Sequence, residues 1–102
     1  MTSHQQLSIL SGALQNITNM INDHAGVRPV QNSDHYEAVW NIAAVLEDND
    51  ELGISRPRDS ETAALRLFSL LKASSYLTSA MMKLVTEQPG MGFDLTEAIA
   101  FL

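Results

Sequence analysis

The residues with the most chemical potential in this chain are carboxylates. Between Arg28 and Arg56 stand Asp34, Glu37, Glu47, Asp48, Asp50 and Glu51, with no lysine or arginine among them. Glu47, Asp48, Asp50 and Glu51 fall within five residues and form a candidate docking patch for a basic partner. The plainer role of such a run is a solvated loop that keeps the protein in solution. Clustered carboxylates also bind calcium, and Asp48, Asp50 and Gly53 match the first, third and sixth positions of an EF-hand loop. The fifth position is then Leu52, which has no oxygen donor, and the twelfth is Asp59 where glutamate is needed. Too few ligands remain for a calcium site.

The other chemistry-bearing types are sparse. His4, His24 and His35 show no His-x-x-x-His or His-Glu-x-x-His spacing. His35 neighbours Asp34, but adjacent residues on a helix point about 100° apart and do not chelate together. Ser69-Leu70-Leu71-Lys72 has the Ser-x-x-Lys spacing of serine acyl-transferring enzymes. That chemistry needs the serine at a helix start in a cleft, with companion motifs for the oxyanion, and none is present. Gly90-Met91-Gly92 reads as a helix break and not as a phosphate loop. No catalytic residue, metal site or cofactor is expected. Arg66 is the one base beside an apolar arc, a candidate anchor for an anion or simply a stem packed along the core edge.

Met81 and Met82, with Phe93 and Phe101, form a candidate apolar groove. Flexible thioethers line adaptable binding surfaces as well as filling cores, and core packing is the simpler role. Trp40 reads as a core anchor.

These residues sit on elements with helical period almost throughout. The first segment runs from about Ser3 to Asn22, where Leu7, Leu10, Ala13, Leu14, Ile17 and Ile21 form one stripe. Its other face is Gln5, Ser8, Ser11, Gln15, Asn16, Asn19 and Asn22, neutral and expected to be solvated. Gly26 suits a left-handed cap. A second helix starts at Ser33 or Asp34, with Ser33 as cap and Tyr36, Val39, Trp40, Ala43 and Leu46 as the buried stripe. Glu37, Asn41, Ala44 and Asp48 are placed outward. The polar stretch from Glu47 to Asp59 reads as an ordered loop, with Leu52 and Ile54 beneath it and Arg56 and Arg58 partly neutralising it.

The third helix, from about Ser60 to Glu87 and capped by Asp59 or Ser60, carries a wide apolar arc from Ala63 and Ala64 to Val85. Its narrow polar strip is Glu61, Ser69, Lys72, Ser79, Lys83 and Glu87. A wide arc predicts a central helix with contacts on several sides. At ~1.5 Å per residue it spans roughly 40 Å against roughly 30 Å for the first. It is therefore expected to bend near Ser74 and Ser75, or to pair its excess with a second copy of the chain in a homodimer. A short last helix, Leu95 to about Phe101, follows the break at Pro89 and Gly90, with Asp94 as cap and Glu97 three residues on.

Length and composition bound the whole. The 102 residues suit a single helical domain covering 1–102. The absence of cysteine excludes disulfides, thiolate metal sites and a cysteine nucleophile. The formal net charge of −6 argues against direct nucleic-acid binding. No window approaches the ~18 apolar residues of a membrane span, and no export signal opens the chain, so a cytoplasmic protein is expected. The fold class is all-α, a compact bundle or orthogonal array of three main helices plus a short C-terminal helix. The function expected is that of an acidic, non-enzymatic protein-interaction module, an adaptor or regulator with a protein partner. Two further readings are an acidic inhibitor docking a basic enzyme or nucleic-acid-binding protein, and a helical domain holding a small ligand between Trp40, Tyr76 and the methionines.

Overall fold

The computed structural model describes residues 1–49 and 63–102, with side chains from Arg66 onward in the third helix. Four helices follow in order: α1 (Ser3–Ala25), α2 (Asn32–Asp48), α3 (Ala63–Val85) and α4 (Met91–Phe101). The three main helices and the short last one expected from periodicity are all present, and no strand occurs among the described residues. The cap at Asp59 or Ser60 and the loop residues Leu52, Ile54, Arg56 and Arg58 lie outside the described residues, as do Glu61 and the Ala63 and Ala64 side chains.

Packing closes the helices into a ring. α1 packs on α2 and α3, and α4 packs on α3 and α2, while among the described residues the backbones of the diagonal pairs do not approach closely. Neighbours run antiparallel. Asp48 at the end of α2 reaches Gln6 near the start of α1, and His35 at the start of α2 reaches Leu102 beyond the end of α4. α3 is therefore one of four walls and not the central helix. It is also unbroken at Ser74 and Ser75, and its described length of 23 residues equals that of α1. The excess that called for a bend or a second copy does not arise among the described residues.

Leucine, isoleucine and methionine fill the centre, where Leu10, Ile17, Met20, Ile42, Leu46, Leu70, Leu77 and Leu95 belong to one buried cluster. Ala13, Ala38, Ala73, Ala80 and Ala98 are buried between them, and their small size lets backbones approach closely.

Helix ends follow local chemistry with a few shifts from expectation. Thr2 caps α1 in a full capping box with Gln5. α1 ends in a Schellman motif, with Arg28 N–H donating to the Asp23 carbonyl and Val27 N–H to that of His24. The left-handed residue is Val27 (φ 55°), not Gly26, whose φ is −83°. The helix thus ends at Ala25 with Gly26 as its C-cap, as the glycine suggests, and only the left-handed turn falls one residue later. α3 ends in the same motif with Glu87 at φ 55°. α2 begins one residue early, at Asn32, without the Ser33 cap. α4 begins at Met91 on a left-handed Gly90, so Asp94 sits inside the first turn and is not the cap.

Candidate functional site

α3 turns Leu70, Ala73, Leu77 and Ala80 to the core, but its two flanks depart from what composition suggests. Of the expected polar strip, Ser79 and Lys83 turn onto α4 and Ser69 is buried, while Lys72 and Glu87 stay exposed. Asp94 of α4, only 4% exposed, explains the choice. Its carboxylate accepts from Ser79 Oγ and pairs with Lys83 Nζ, both at 2.8 Å. A buried carboxylate needs donors and a counter-charge, and these side chains supply them. Beside them Tyr76 stacks on Phe101 at 5.8 Å and meets Phe93 edge-on at 6.4 Å.

With Ser79 and Lys83 committed to α4, part of the apolar arc is left facing solvent. Phe68, Leu71, Met82 and Val85 are 55, 51, 64 and 63% exposed. Together with Ser75 and Thr78, also exposed, they recur at alternating steps of three and four, the seam spacing of a coiled coil. Met81, Met82, Thr78 and Val85 wall a groove of about 400 Å³ against Leu7 and Leu14 of α1. Single exposed apolar side chains are ordinary, but four large ones along one flank of a helix are not.

The expected groove of Met81, Met82, Phe93 and Phe101 is thus divided. Both methionines line the α1/α3 groove, while Phe93 and Phe101 lie on the α4 side of α3 around Tyr76. Helix phase separates them, because Tyr76 and Met82 point about 120° apart.

α2 is rotated by about one residue, roughly 100°, from the expected stripe. Ala38, Ile42, Val45 and Leu46 are buried, whereas Trp40 is 78% exposed and Tyr36 is also on the surface. Trp40 is not a core anchor. The rotation lets Asp34 and Glu37 reach the α1 amide face, where Asn16 Nδ2 donates to both, at 3.0 and 3.1 Å. Asn19 adds a longer bond to Asp34. Asn16 is buried, so this part of the neutral face is an internal seam and not a solvated surface.

The acidic patch is divided as well. Glu47 is exposed beside Trp40, Ala43 and Ala44, which border a shallow depression of about 310 Å³. Asp48 instead turns back to α1, accepting from the Met1 ammonium at 3.0 Å and from Gln6 Nε2 at 2.7 Å. The ammonium hydrogen bond, followed by that from Gln6, holds its carboxyl below the usual aspartate range. Asp50 and Glu51, and with them the calcium-loop match, lie outside the described residues.

The remaining candidates serve the fold. Arg66 Nη1 and His35 Nε2 both engage the Leu102 carbonyl, at 3.0 and 2.8 Å, so His35 carries its proton on Nε2 there. No group of three or more His, Asp or Glu among the described residues is placed to hold a metal ion. Among the described residues, neither Trp40 nor Tyr76 lines the groove of Met81 and Met82, and Trp40 borders the separate depression on α2. No helix among the described residues is long and apolar enough to cross a membrane. Comparison with protein-family models, curated proteins and solved structures yields no match for this chain. The candidate site therefore rests on its own geometry, and the α1/α3 face carries more exposed apolar side chains than the surface around Trp40 and Tyr36.

Proposed function

We propose that this protein is a non-enzymatic protein-interaction module that docks its partner through the outer face of α1 and α3. One observation carries the reading. α3 commits Ser79 and Lys83 to Asp94 of α4 and leaves Phe68, Leu71, Met82 and Val85 in water. Exposing these four costs hydrophobic stabilisation of about 25 cal/mol per Å² of apolar surface, which a docked helix or sheet recovers. The groove against Leu7 and Leu14 adds a channel for side chains of the partner, and Met81 and Met82 at its wall adapt their shape.

Docking by an acidic surface is less favoured, because Asp34, Glu37 and Asp48 are each engaged by α1. The experiment is capture of partners from host lysate on immobilised wild type and on Leu71→Glu, washed at low and at high salt. The expected result is a partner kept through high salt by wild type and lost by the variant. Exposed charge contacts are screened within ~10 Å at 0.1 M salt, so a partner lost from wild type at high salt points to the Glu47 region and overturns the reading.

A further inference from the structure

We propose that the occupant of this face is a second copy of the same chain, its α3 packed antiparallel on α3 about a two-fold axis between Ser75 and Thr78; this rests on the docking reading above. A two-fold interface must be self-complementary, each residue i meeting j while j meets i. Antiparallel pairing about that midpoint sets Phe68 against Val85, Leu71 against Met82, and Ser75 against Thr78. Large apolar side chains then meet large apolar ones at both ends, and two small hydroxyl residues meet at the axis where the helices approach most closely. The alternating three-and-four spacing is what lets two helices keep such a seam in register.

α1 obeys the same symmetry. Leu7, Leu14 and Ile21 recur at seven-residue intervals and are half-buried. Leu7 borders Leu84 and Val85, and α1 and α3 run antiparallel with equal rise. Seven residues further along, Leu14 is level with Leu77 and Thr78, beside the centre of the α3 stripe. One axis therefore serves both helices, with Leu14 facing its own copy and Leu7 facing Ile21.

Charge points to the same occupant. The chain carries −6, yet α1 has no Asp, Glu, Lys or Arg between Met1 and Asn22, and the α3 stripe has none. Two copies meet here without opposing like charges. Lys72, whose ammonium lies 5.5 Å from the Phe68 ring centroid, is the nearest charge on α3. The antiparallel register sets the two Lys72 residues about 13 Å apart along the axis, beyond the ~10 Å screening length. Two 23-residue helices side by side present a face of roughly 34 by 20 Å, close to the ~800 Å² per partner of a standard interface.

The test uses Leu71→Lys and Met82→Glu, both at exposed positions, with circular dichroism to verify that each variant is folded. Mass is measured by light scattering after gel filtration, from low to high micromolar. Wild type is expected at twice the chain mass of 11.2 kDa, and each variant alone at the chain mass. Symmetry introduces each charge twice, so dissociation constants should rise on the order of 100-fold or more. Mixing the two variants should restore the double mass, because the ammonium introduced at position 71 of one chain then meets the carboxylate introduced at position 82 of the other. Folded variants that stay monomeric when mixed overturn the antiparallel register. Variants that remain at double mass alone place self-association elsewhere and overturn the proposal. A monomeric wild type also overturns it. The docking reading survives that result if Leu71→Lys still abolishes high-salt retention of a different protein, and falls with it if the variant changes nothing.

Discussion

Replacing Lys83 with methionine tests the account of why α3 faces as it does. The change removes the counter-charge of Asp94, whose carboxylate is almost wholly buried and lies 2.8 Å from the Lys83 ammonium. Breaking a fully buried pair by removing one partner costs about 3–5 kcal/mol. Two features reduce that figure. Lys83 is 29% exposed, so water screens part of the attraction. Asp94 also stands in the first turn of α4, where the helix dipole stabilises an anion. Ser79 still donates to the stranded carboxylate. The expected loss is about 1.5–3 kcal/mol, which in a domain of this size lowers Tm by roughly 6–20 °C. Lys83→Met combined with Asp94→Asn leaves a neutral amide that still accepts from Ser79, and should recover to within about 1 kcal/mol of wild type. Denaturant and thermal unfolding followed by circular dichroism read both variants. A single variant within about 0.5 kcal/mol of wild type would refute the reasoning, because the Lys83–Asp94 pair would then contribute nothing to the orientation of α3.

Other outcomes follow from the same structure. Trp40→Ala should cost under about 0.5 kcal/mol, and the single tryptophan should be freely quenched by acrylamide in folded protein; protection from quenching would mean the side is covered. Val27→Gly should stabilise by about 0.5–1 kcal/mol, because a β-branched residue is strained at φ 55° and the exposed side chain loses no packing; a loss of stability in denaturant unfolding would contradict the turn geometry. Asp48 has a folded pKa below its unfolded value, so its contribution is present above the ordinary aspartate range and is lost as pH falls through the depressed value. Asp48→Asn should therefore be less stable than wild type at neutral pH and equal to it in strong acid, and a difference independent of pH would sink the assignment.

Much of the fold was legible in the chain because helical period is a local property. The stripe in α1, the break at Pro89 and Gly90, and the amphipathic last helix all follow from neighbours within a turn or two. Facing was less legible. Trp40 and Tyr36 read as core because large apolar residues are usually buried, yet the α2 stripe that packs is Ala38, Ile42 and Val45. The deciding signal lay in a distant element: amides at Asn16 and Asn19 that bond to Asp34 and Glu37. The same holds for the proposed site. Met81 and Met82 were recognisable as groove residues, but Leu7 and Leu14 enter the groove only because α1 packs beside α3.

By itself the sequence determined what its local chemistry could enforce: an all-helical chain, cysteine-free and acidic, with its breaks at Gly26 to Pro29 and Pro89 to Gly90. Tertiary structure decided which side of each helix is inside. A helix pattern gives the width of an apolar arc, but burial depends on how many neighbours close over it, and a ring of four leaves each helix an outer flank. In α3 the outcome was set by Asp94, beyond the helix end in the chain, whose buried carboxylate draws Ser79 and Lys83 inward. Leu70 and Leu77 fill the core, Ser79 and Lys83 turn to α4, and the remaining flank from Phe68 to Val85 is left on the surface, since two neighbouring helices do not close over so wide an arc.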